Sequence, residues 1–258
     1  AAYYIMLLPY SIVTISIVTA LLPHLSKLAI EKNVVEVRKQ LVRTIKMVGV
    51  VTVPSGVALF FFGPMMTEAL YFGISLEDSR YIGQVLSALS LGLVAFSINL
   101  ILIRGFNAFE DTRTQVVSIL IINIISVALS YVFLYTLSSQ QVTIGLGIAF
   151  SASYIVGLFI TLRLLKKHIG KLAISTFIGH HAKLFVASLL SIAPLFALVY
   201  LLKWESADSS ALLRAFRLCV VLAASGVFYL LFAKLFKISE IATLAEFGRG
   251  LLKKRKGT

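Results

Sequence analysis

The segment Arg104–Gln115, with the sequence RGFNAFEDTRTQ, places charged side chains of both signs in a short connection between two apolar runs. Asp111 and Thr112 directly precede the second run, where their side-chain oxygens can accept hydrogen bonds from the free N–H groups at the start of a helix. The Asp111 carboxylate can also pair with Arg104 or Arg113. The segment is therefore either a capped turn or a charged hinge that holds a gate, and composition alone favours the capped turn.

Metal binding and catalysis have weaker candidates, namely His24, His168, His180, His181 and Cys219. The adjacent residues His180 and His181 cannot point to one face of a helix, and no carboxylate or thiol accompanies them. Cys219 is the single cysteine, so it predicts neither a disulfide framework nor a metal-binding pair. Since no span or loop offers a nucleophile with a base or two paired carboxylates, we predict no enzyme, no metal and no cofactor.

The elements that position these residues are apolar helices. Of the 258 residues, 59% are hydrophobic and 14% charged, whereas a soluble domain carries about 25% charged residues. Apolar runs of about 20 residues recur, and each is long enough to cross a bilayer as a helix. We predict an all-α polytopic membrane protein with about seven transmembrane helices, over roughly 3–23, 44–63, 82–103, 115–137, 142–163, 184–202 and 217–236.

Lysine and arginine concentrate in alternate connections between these spans. The segments 24–46, 104–113, 163–183 and the tail from 234 carry most of the 24 basic residues. By the positive-inside rule these segments face the cytoplasm, which puts the C-terminus in the cytoplasm and the N-terminal end of the chain outside. Topology therefore explains the net charge of +13, and we predict no nucleic-acid partner.

Two of the basic segments have the pattern of helices that lie at the membrane surface, and the alternative is that each is an ordinary solvated connector. One covers residues 31–43, and the other covers 239–252. The second belongs to a basic interfacial cytoplasmic tail over 239–258, whose KKRK sequence at 253–256 either binds anionic lipid or begins a further domain.

Polar residues and one proline lie inside the predicted spans. Asn99 and Asn123 can form a functional site or hold helices together, and we favour helix packing while leaving a role in a cavity open. Pro54 removes a backbone hydrogen bond from the second span and can serve as a bending point, although prolines are common in membrane helices. No ionisable residue lies at the centre of a span, so the charged part of any transport site is expected near a membrane face or outside this sequence.

The segment Arg104–Gln115 resembles the R-x-F-Y-A-x-x-D-T-R-T-P signature of the MurJ (MviN) family of lipid II flippases, which belongs to the MOP transporter superfamily. Asn107 and Gln115 depart from the usual tyrosine and proline of that signature. Other stretches resemble the family in the same order along the chain, and with the signature they cover about residues 1–165. The stretches are Leu8–Lys27, Gly73–Gly83 and Ile144–Ser151, and the matching signature residues are Arg104, Phe106, Ala108, Asp111, Thr112, Arg113 and Thr114.

The resemblance implies one lobe, the C-terminal half, of a MOP-type two-lobe flippase in the bacterial cytoplasmic (inner) membrane. Such proteins move undecaprenyl-pyrophosphate-linked peptidoglycan precursor, lipid II, from the cytoplasmic to the outer leaflet by alternating access. The implied partners are this substrate, membrane lipids, an N-terminal lobe, and cell-wall synthesis and division proteins. The resemblance also implies gate or hinge roles, for which the candidates are Arg104, Phe106, Asp111, Thr112, Arg113 and Pro54.

Features of the sequence also point to material outside it. The family's cavity arginines lie mostly in the first lobe, and Tyr4 stands where members often carry another arginine. The chain opens without a methionine and directly in apolar sequence, so we expect residues upstream. Two rival functions stay open: a flippase for another lipid-linked oligosaccharide of the O-antigen or capsule type, and a non-transporting membrane scaffold for cell-wall proteins.

Overall fold

The computed structural model describes residues 1–11, 15–172, 174–201, 210–238 and 240–241. These residues form nine α-helices and no strand, so the all-helical prediction is confirmed for this part of the chain. The helices are α1 (Ala2–Pro9), α2 (Ile15–Ile30), α3 (Val34–Leu70), α4 (Leu76–Ser90), α5 (Leu93–Ala108), α6 (Thr112–Thr136), α7 (Val142–Ile169), α8 (Ile174–Leu201) and α9 (Ala211–Leu235).

Five of the described helices are individually long and apolar enough to cross a membrane: α3, α6, α7, the Phe177–Leu201 part of α8, and α9. The pair α4 and α5 meets the same criterion together, but its two parts are bent by 48°. The first predicted span, 3–23, instead divides between α1 and α2, and residues 12–14 between them lie outside the described part of the chain. The described residues thus include up to six crossing helices, where the sequence suggested about seven.

The break between α4 and α5 is made by a contact with α7. The Ser151 hydroxyl of α7 donates a hydrogen bond to the carbonyl oxygen of Ala88 over 2.7 Å, which satisfies a backbone acceptor at the end of α4. Gly92 follows in the bend, where a Cβ atom would lie only 2.7 Å from the Cα of Ser151. The close approach of the two backbones therefore requires glycine at this position.

Helix α3 is the central element and packs against α2, α4, α5, α8 and α9. Its N-cap is Asn33, whose side chain accepts a hydrogen bond from the Glu36 N–H over 3.2 Å. The predicted interfacial helix over 31–43 is wrong, because residues from Val34 onwards form the first turns of α3. Val37 and Leu41 are fully buried there against side chains of α2, α5 and α7, so this face meets protein and not lipid headgroups.

The bundle has two electrically different ends. Lysine and arginine concentrate where α3, α6 and α8 begin and α5, α7 and α9 end, and we call this the basic end. The opposite end, which we call the acidic end, carries Glu68, Glu77 and Asp78. The predicted tail 239–258 follows α9 at the basic end, and apart from residues 240–241 it lies outside the described part of the chain.

Candidate functional site

The candidate site is the turn between α5 and α6, at the basic end. Asp111 is the N-cap of α6: its Oδ1 accepts a hydrogen bond from the Thr114 backbone N–H over 3.0 Å, and its Oδ2 accepts one from the Thr114 hydroxyl over 2.6 Å. The preceding residue, Glu110, has a φ of 56°, in the left-handed region that side chains other than glycine seldom adopt. The conformation of the turn is therefore defined by the left-handed backbone at Glu110 and by the hydrogen bonds of the Asp111 carboxylate.

His168, in the last turn of α7, forms a further hydrogen bond with the Asp111 carboxylate. Its Nε2 lies 2.6 Å from Asp111 Oδ2, and its ring stacks on Phe109 with the ring centroids 5.0 Å apart. Hydrogen bonds from the Thr114 hydroxyl, and then from His168 and the Thr114 N–H, hold the pKa of Asp111 well below its usual range. The carboxylate thus joins the start of α6 to the end of α7, and we call Phe109, Asp111, Thr114 and His168 the clamp.

The same end of α7 is also fixed to α3. The Arg38 guanidinium donates hydrogen bonds through Nε and Nη2 to the carbonyl oxygen of Ile169, over 2.9 and 2.5 Å. The last carbonyls of a helix have no partner within the helix and carry partial negative charge, which a cation offsets. Gly170 then leaves the helix with a φ of 70°. Arg38 and the clamp together hold α3, α6 and α7 in one arrangement.

The other residues of the predicted motif have different surroundings. Phe106 is fully buried in the apolar core beside Leu41 and Leu165, whereas Thr112 and Arg113 are exposed. Arg104 is half-buried on α5, close enough to Tyr10 at the junction of α1 and α2 for an electrostatic interaction. Among the described residues neither Arg104 nor Arg113 forms an ion pair, and the partner of Asp111 is His168 instead.

The two predicted asparagines are in opposite environments. Asn99 is fully buried on α5, and its Nδ2 donates to the carbonyl oxygen of Tyr154 on α7 over 3.0 Å. Its Oδ1 accepts from the Thr161 hydroxyl over 2.8 Å, and that hydroxyl lies 2.8 Å from the hydroxyl of Ser118 on α6. Asn99 therefore links three helices. Asn123 is exposed on α6 and makes no side-chain hydrogen bond within the described residues.

Pro54 lies within α3 and leaves a carbonyl free four residues earlier, because proline has no N–H to donate. That carbonyl belongs to Val50, and it accepts a hydrogen bond from the Tyr229 hydroxyl of α9 over 2.8 Å. Pro64 repeats the arrangement: the hydroxyl of Ser87 on α4 donates to the Phe60 carbonyl over 2.8 Å. At each proline of α3, a hydroxyl of a neighbouring helix thus supplies the donor that the proline lacks. We call these two positions the proline joints, and a joint is closed when this hydrogen bond is formed.

Replacing Tyr229 by phenylalanine is expected to destabilise the protein by about 1–3 kcal/mol, since the Val50 carbonyl is left buried without a donor. The measurement is the unfolding temperature of the purified protein in detergent. Tyr131→Phe is the matched control, because Tyr131 is 59% exposed on α6 and makes no hydrogen bond within the described residues. Equal unfolding temperatures for Tyr229→Phe and the control would refute the role of this hydroxyl.

The rings of His180 and His181 are in edge contact, with their centroids 5.8 Å apart. Within the described ranges no three His, Cys, Asp or Glu side chains converge as metal ligands would. His168 belongs to the clamp, and His24 is exposed. His180 lies 3.6 Å from Glu240, whereas His181 bonds to the Phe177 carbonyl over 2.8 Å.

Sequence reasoning anticipated Asp111 as a helix cap but missed His168, Arg38 and Tyr229. Alternation of the spans places the start of α6 and the end of α7 at the same membrane face, which was a usable signal for His168. The position of Pro54 likewise identifies the free carbonyl but not its donor. Which side chain fills each role depends on how the helices pack.

Comparison with known proteins adds a family and a fold. A family model described as "Lipid II flippase MurJ" matches residues 1–216. A probable lipid II flippase MurJ of Rhizobium meliloti is 28% identical over 228 residues, which is 86% of this chain and 41% of the relative. One from Thermotoga maritima is 27% identical over 201 residues, covering 76% of this chain and 37% of the relative.

The fold has a counterpart among solved structures. The structure of a lipid II flippase MurJ in an inward closed conformation superposes with a TM-score of 0.70 at 23% sequence identity. The match covers 93% of this chain and 46% of that one. The chain therefore spans about half the length of the solved structure and less than half the length of these relatives.

Proposed function

The chain belongs to the lipid II flippase MurJ family, and from that premise we propose that it is the C-terminal lobe of a flippase for lipid-linked peptidoglycan precursor. It is a multi-pass protein of the bacterial inner membrane. The substrate is lipid II, carried from the cytoplasmic to the outer leaflet by alternating access. The observation that carries this proposal is the family match over residues 1–216, which includes the whole clamp.

The clamp supports a mechanical role for this lobe. Alternating access needs parts that move as rigid bodies, with the change confined to a few joints. Asp111, His168 and Arg38 hold the basic ends of α3, α6 and α7 together through hydrogen bonds between residues distant in the sequence. We therefore assign the clamp to the rigid part that bears on the inner gate, in keeping with a gate or hinge role for the motif.

The charges indicate what a second lobe must supply. A pyrophosphate needs cationic partners, and among the described residues no lysine or arginine side chain is buried within the bundle. The cations that hold the substrate at mid-membrane therefore come from an N-terminal lobe. Arg104 and Arg113, which form no ion pair within the described residues, remain available at the basic end to the substrate or to that lobe.

The test is rescue of a strain depleted of its own lipid II flippase by the native full-length gene that contains this sequence. We expect growth to be restored, together with access of an externally added lipid II-cleaving enzyme to its substrate in the outer leaflet. Restored export of capsule or O-antigen without restored lipid II flipping would assign the chain to the rival transporter function. Normal flipping in a deletion strain that has lost its cell-wall protein complexes would favour the scaffold function.

A further inference from the structure

A cavity of about 530 Å³ opens beside the end of α7, at the basic end and on the face away from the clamp residue His168. Three cationic side chains line it, Arg163, Lys166 and Lys171, and all three are exposed. Apolar side chains form the rest of the lining: Phe159, Leu162 and Leu172. We call these six residues the cradle, and its lining combines concentrated positive charge with an apolar floor.

No described residue neutralises the positive charge of the cradle. No carboxylate lines the cavity, and none of its three cations forms an ion pair within the described residues. A second basic cavity, of about 350 Å³, differs in this respect: it is lined by Lys46, Lys183 and Lys237 but also by Glu240, which lies 3.9 Å from Lys46. An anion from outside the chain therefore meets no competing carboxylate among the described residues of the cradle, in contrast to this second cavity.

The cradle consists of residues on one face of α7 and of residues that follow the turn at Gly170. Residues 159, 162, 163 and 166 are spaced by three and four along α7, so their side chains lie on one face of the helix. Gly170 then turns the backbone with its φ of 70°, which brings Lys171 and Leu172 back to the same cavity. Arg38 fixes this turn through its hydrogen bonds to the Ile169 carbonyl, and its Nη2 would lie 2.9 Å from a Cβ atom at residue 170.

The depth of the cradle in the membrane follows from the spans. The predicted span 142–163 ends at Arg163, so we expect the cations at the level of the lipid headgroups, on the side that the charge distribution assigns to the cytoplasm. Phe159, one turn deeper, is 61% exposed on the surface of the bundle. A ligand that fits must carry a negative charge at headgroup depth and an apolar part immediately below it.

We propose that the cradle binds an anionic phospholipid of the inner leaflet, with the headgroup phosphate among Arg163, Lys166 and Lys171 and the start of an acyl chain on Phe159 and Leu162. Basic pockets between membrane helices are suited to such headgroups. Free phosphate would use the cations but not the apolar floor. The site is separate from the flippase proposal, since it uses neither the clamp nor any substrate contact.

The test is native mass spectrometry of the purified full-length protein, titrated with phosphatidylglycerol or with phosphatidylcholine of the same acyl chains. We expect the triple variant R163Q/K166Q/K171Q to bind phosphatidylglycerol at least about tenfold more weakly than the native protein, with no change for phosphatidylcholine. The matched control is K27Q/K32Q/K39Q, which removes the same charge from exposed lysines at the basic end outside the cradle. The control is expected to retain native binding.

Two outcomes would overturn the proposal. One is an equal loss of phosphatidylglycerol binding in the triple variant and the control, which would show attraction by net charge without a site. The other is displacement of the lipid from the native protein by excess inorganic phosphate, which would assign the cradle to the free ion. If the triple variant unfolds, K166Q/K171Q gives the same test at two exposed positions, with a smaller loss expected in the same direction.

Discussion

Replacement of Asp111 by alanine is expected to lower the proposed lipid II flipping by about tenfold or more, while the protein still inserts into the membrane at its normal abundance. The reason is that the variant loosens the clamp within the part proposed to move as one rigid body, without removing an entire helix. The variant loses the N-cap of α6 and the contact with His168 at once. The measurement is complementation of the flippase-depleted strain, together with the amount of variant protein in its membranes.

Three further variants separate the functions of this carboxylate. Thr112→Ala is the control, because Thr112 is exposed beside Asp111 and its side chain makes no hydrogen bond within the described residues. Asp111→Asn keeps a side chain that can cap a helix but removes the charge. It therefore shows whether capping without the charge is sufficient. His168→Phe keeps an aromatic ring for stacking on Phe109 and removes the bond to Asp111. Normal complementation by Asp111→Ala would refute the role of the clamp.

The pH dependence of this effect has a definite sign. Because the pKa of Asp111 is lowered in the folded protein, the interactions of its carboxylate stabilise the fold at every pH above the ordinary aspartate value of about 3.9. That stabilisation is lost only as the pH falls through the lowered pKa. The stability difference between native protein and Asp111→Ala is therefore expected to shrink in strong acid.

Replacement of Gly83 by alanine is expected to cause the second large effect, a loss of stability at the acidic end. A Cβ atom at this position would overlap the backbone of Pro64 and lie 2.6 Å from the Thr67 hydroxyl. That hydroxyl donates to the Ser79 carbonyl over 2.7 Å, and the Glu68 carboxylate pairs with Arg80 nearby. Helices α3 and α4 must move apart to admit one methyl group, so we expect a cost of about 1–3 kcal/mol.

The measurement is the apparent unfolding temperature of the purified protein in detergent. Gly226→Ala is the matched control, because Gly226 also lies inside a helix but has no neighbouring atom within 4 Å of a built Cβ. Alanine favours helix over glycine by up to about 1 kcal/mol, so the control is expected to be neutral or slightly more stable. An unfolding temperature for Gly83→Ala at or above that of the control would contradict the close packing of α3 on α4.

Sequence reasoning located α6 closely because this helix meets so little protein. Only Ser118 and Ile122 are buried along its length by the described residues, so the helix depends on few contacts within the chain, and an unbroken apolar run is a sufficient signal. Helix α3 is the opposite case. Its first turns looked amphipathic and interfacial, but Val37 and Leu41 face other helices, and no local pattern distinguishes burial in protein from burial at a membrane surface.

The same division between local and distant contacts explains the outcome at the site. The cap at Asp111 depends on Thr114, three residues away, and this spacing can be recognised in a sequence. The bond to His168 joins residues 57 positions apart, and the bend after Ser90 depends on Ser151, on another helix. Charge pairing in the motif suggested Arg104 or Arg113 as the partner of Asp111. In the structure, helix packing places His168, at the end of α7, beside this carboxylate instead.

The two proline joints of α3 also impose an order on biosynthesis. Ser87 follows Phe60 by only 27 residues, so the joint at Pro64 can close as soon as α4 emerges from the ribosome. Tyr229 follows Val50 by 179 residues, so the joint at Pro54 stays open until α9, the last described helix, has been synthesised and inserted. A nascent chain that stops before α9 therefore carries an α3 whose Val50 carbonyl lacks the hydroxyl of Tyr229 as its donor.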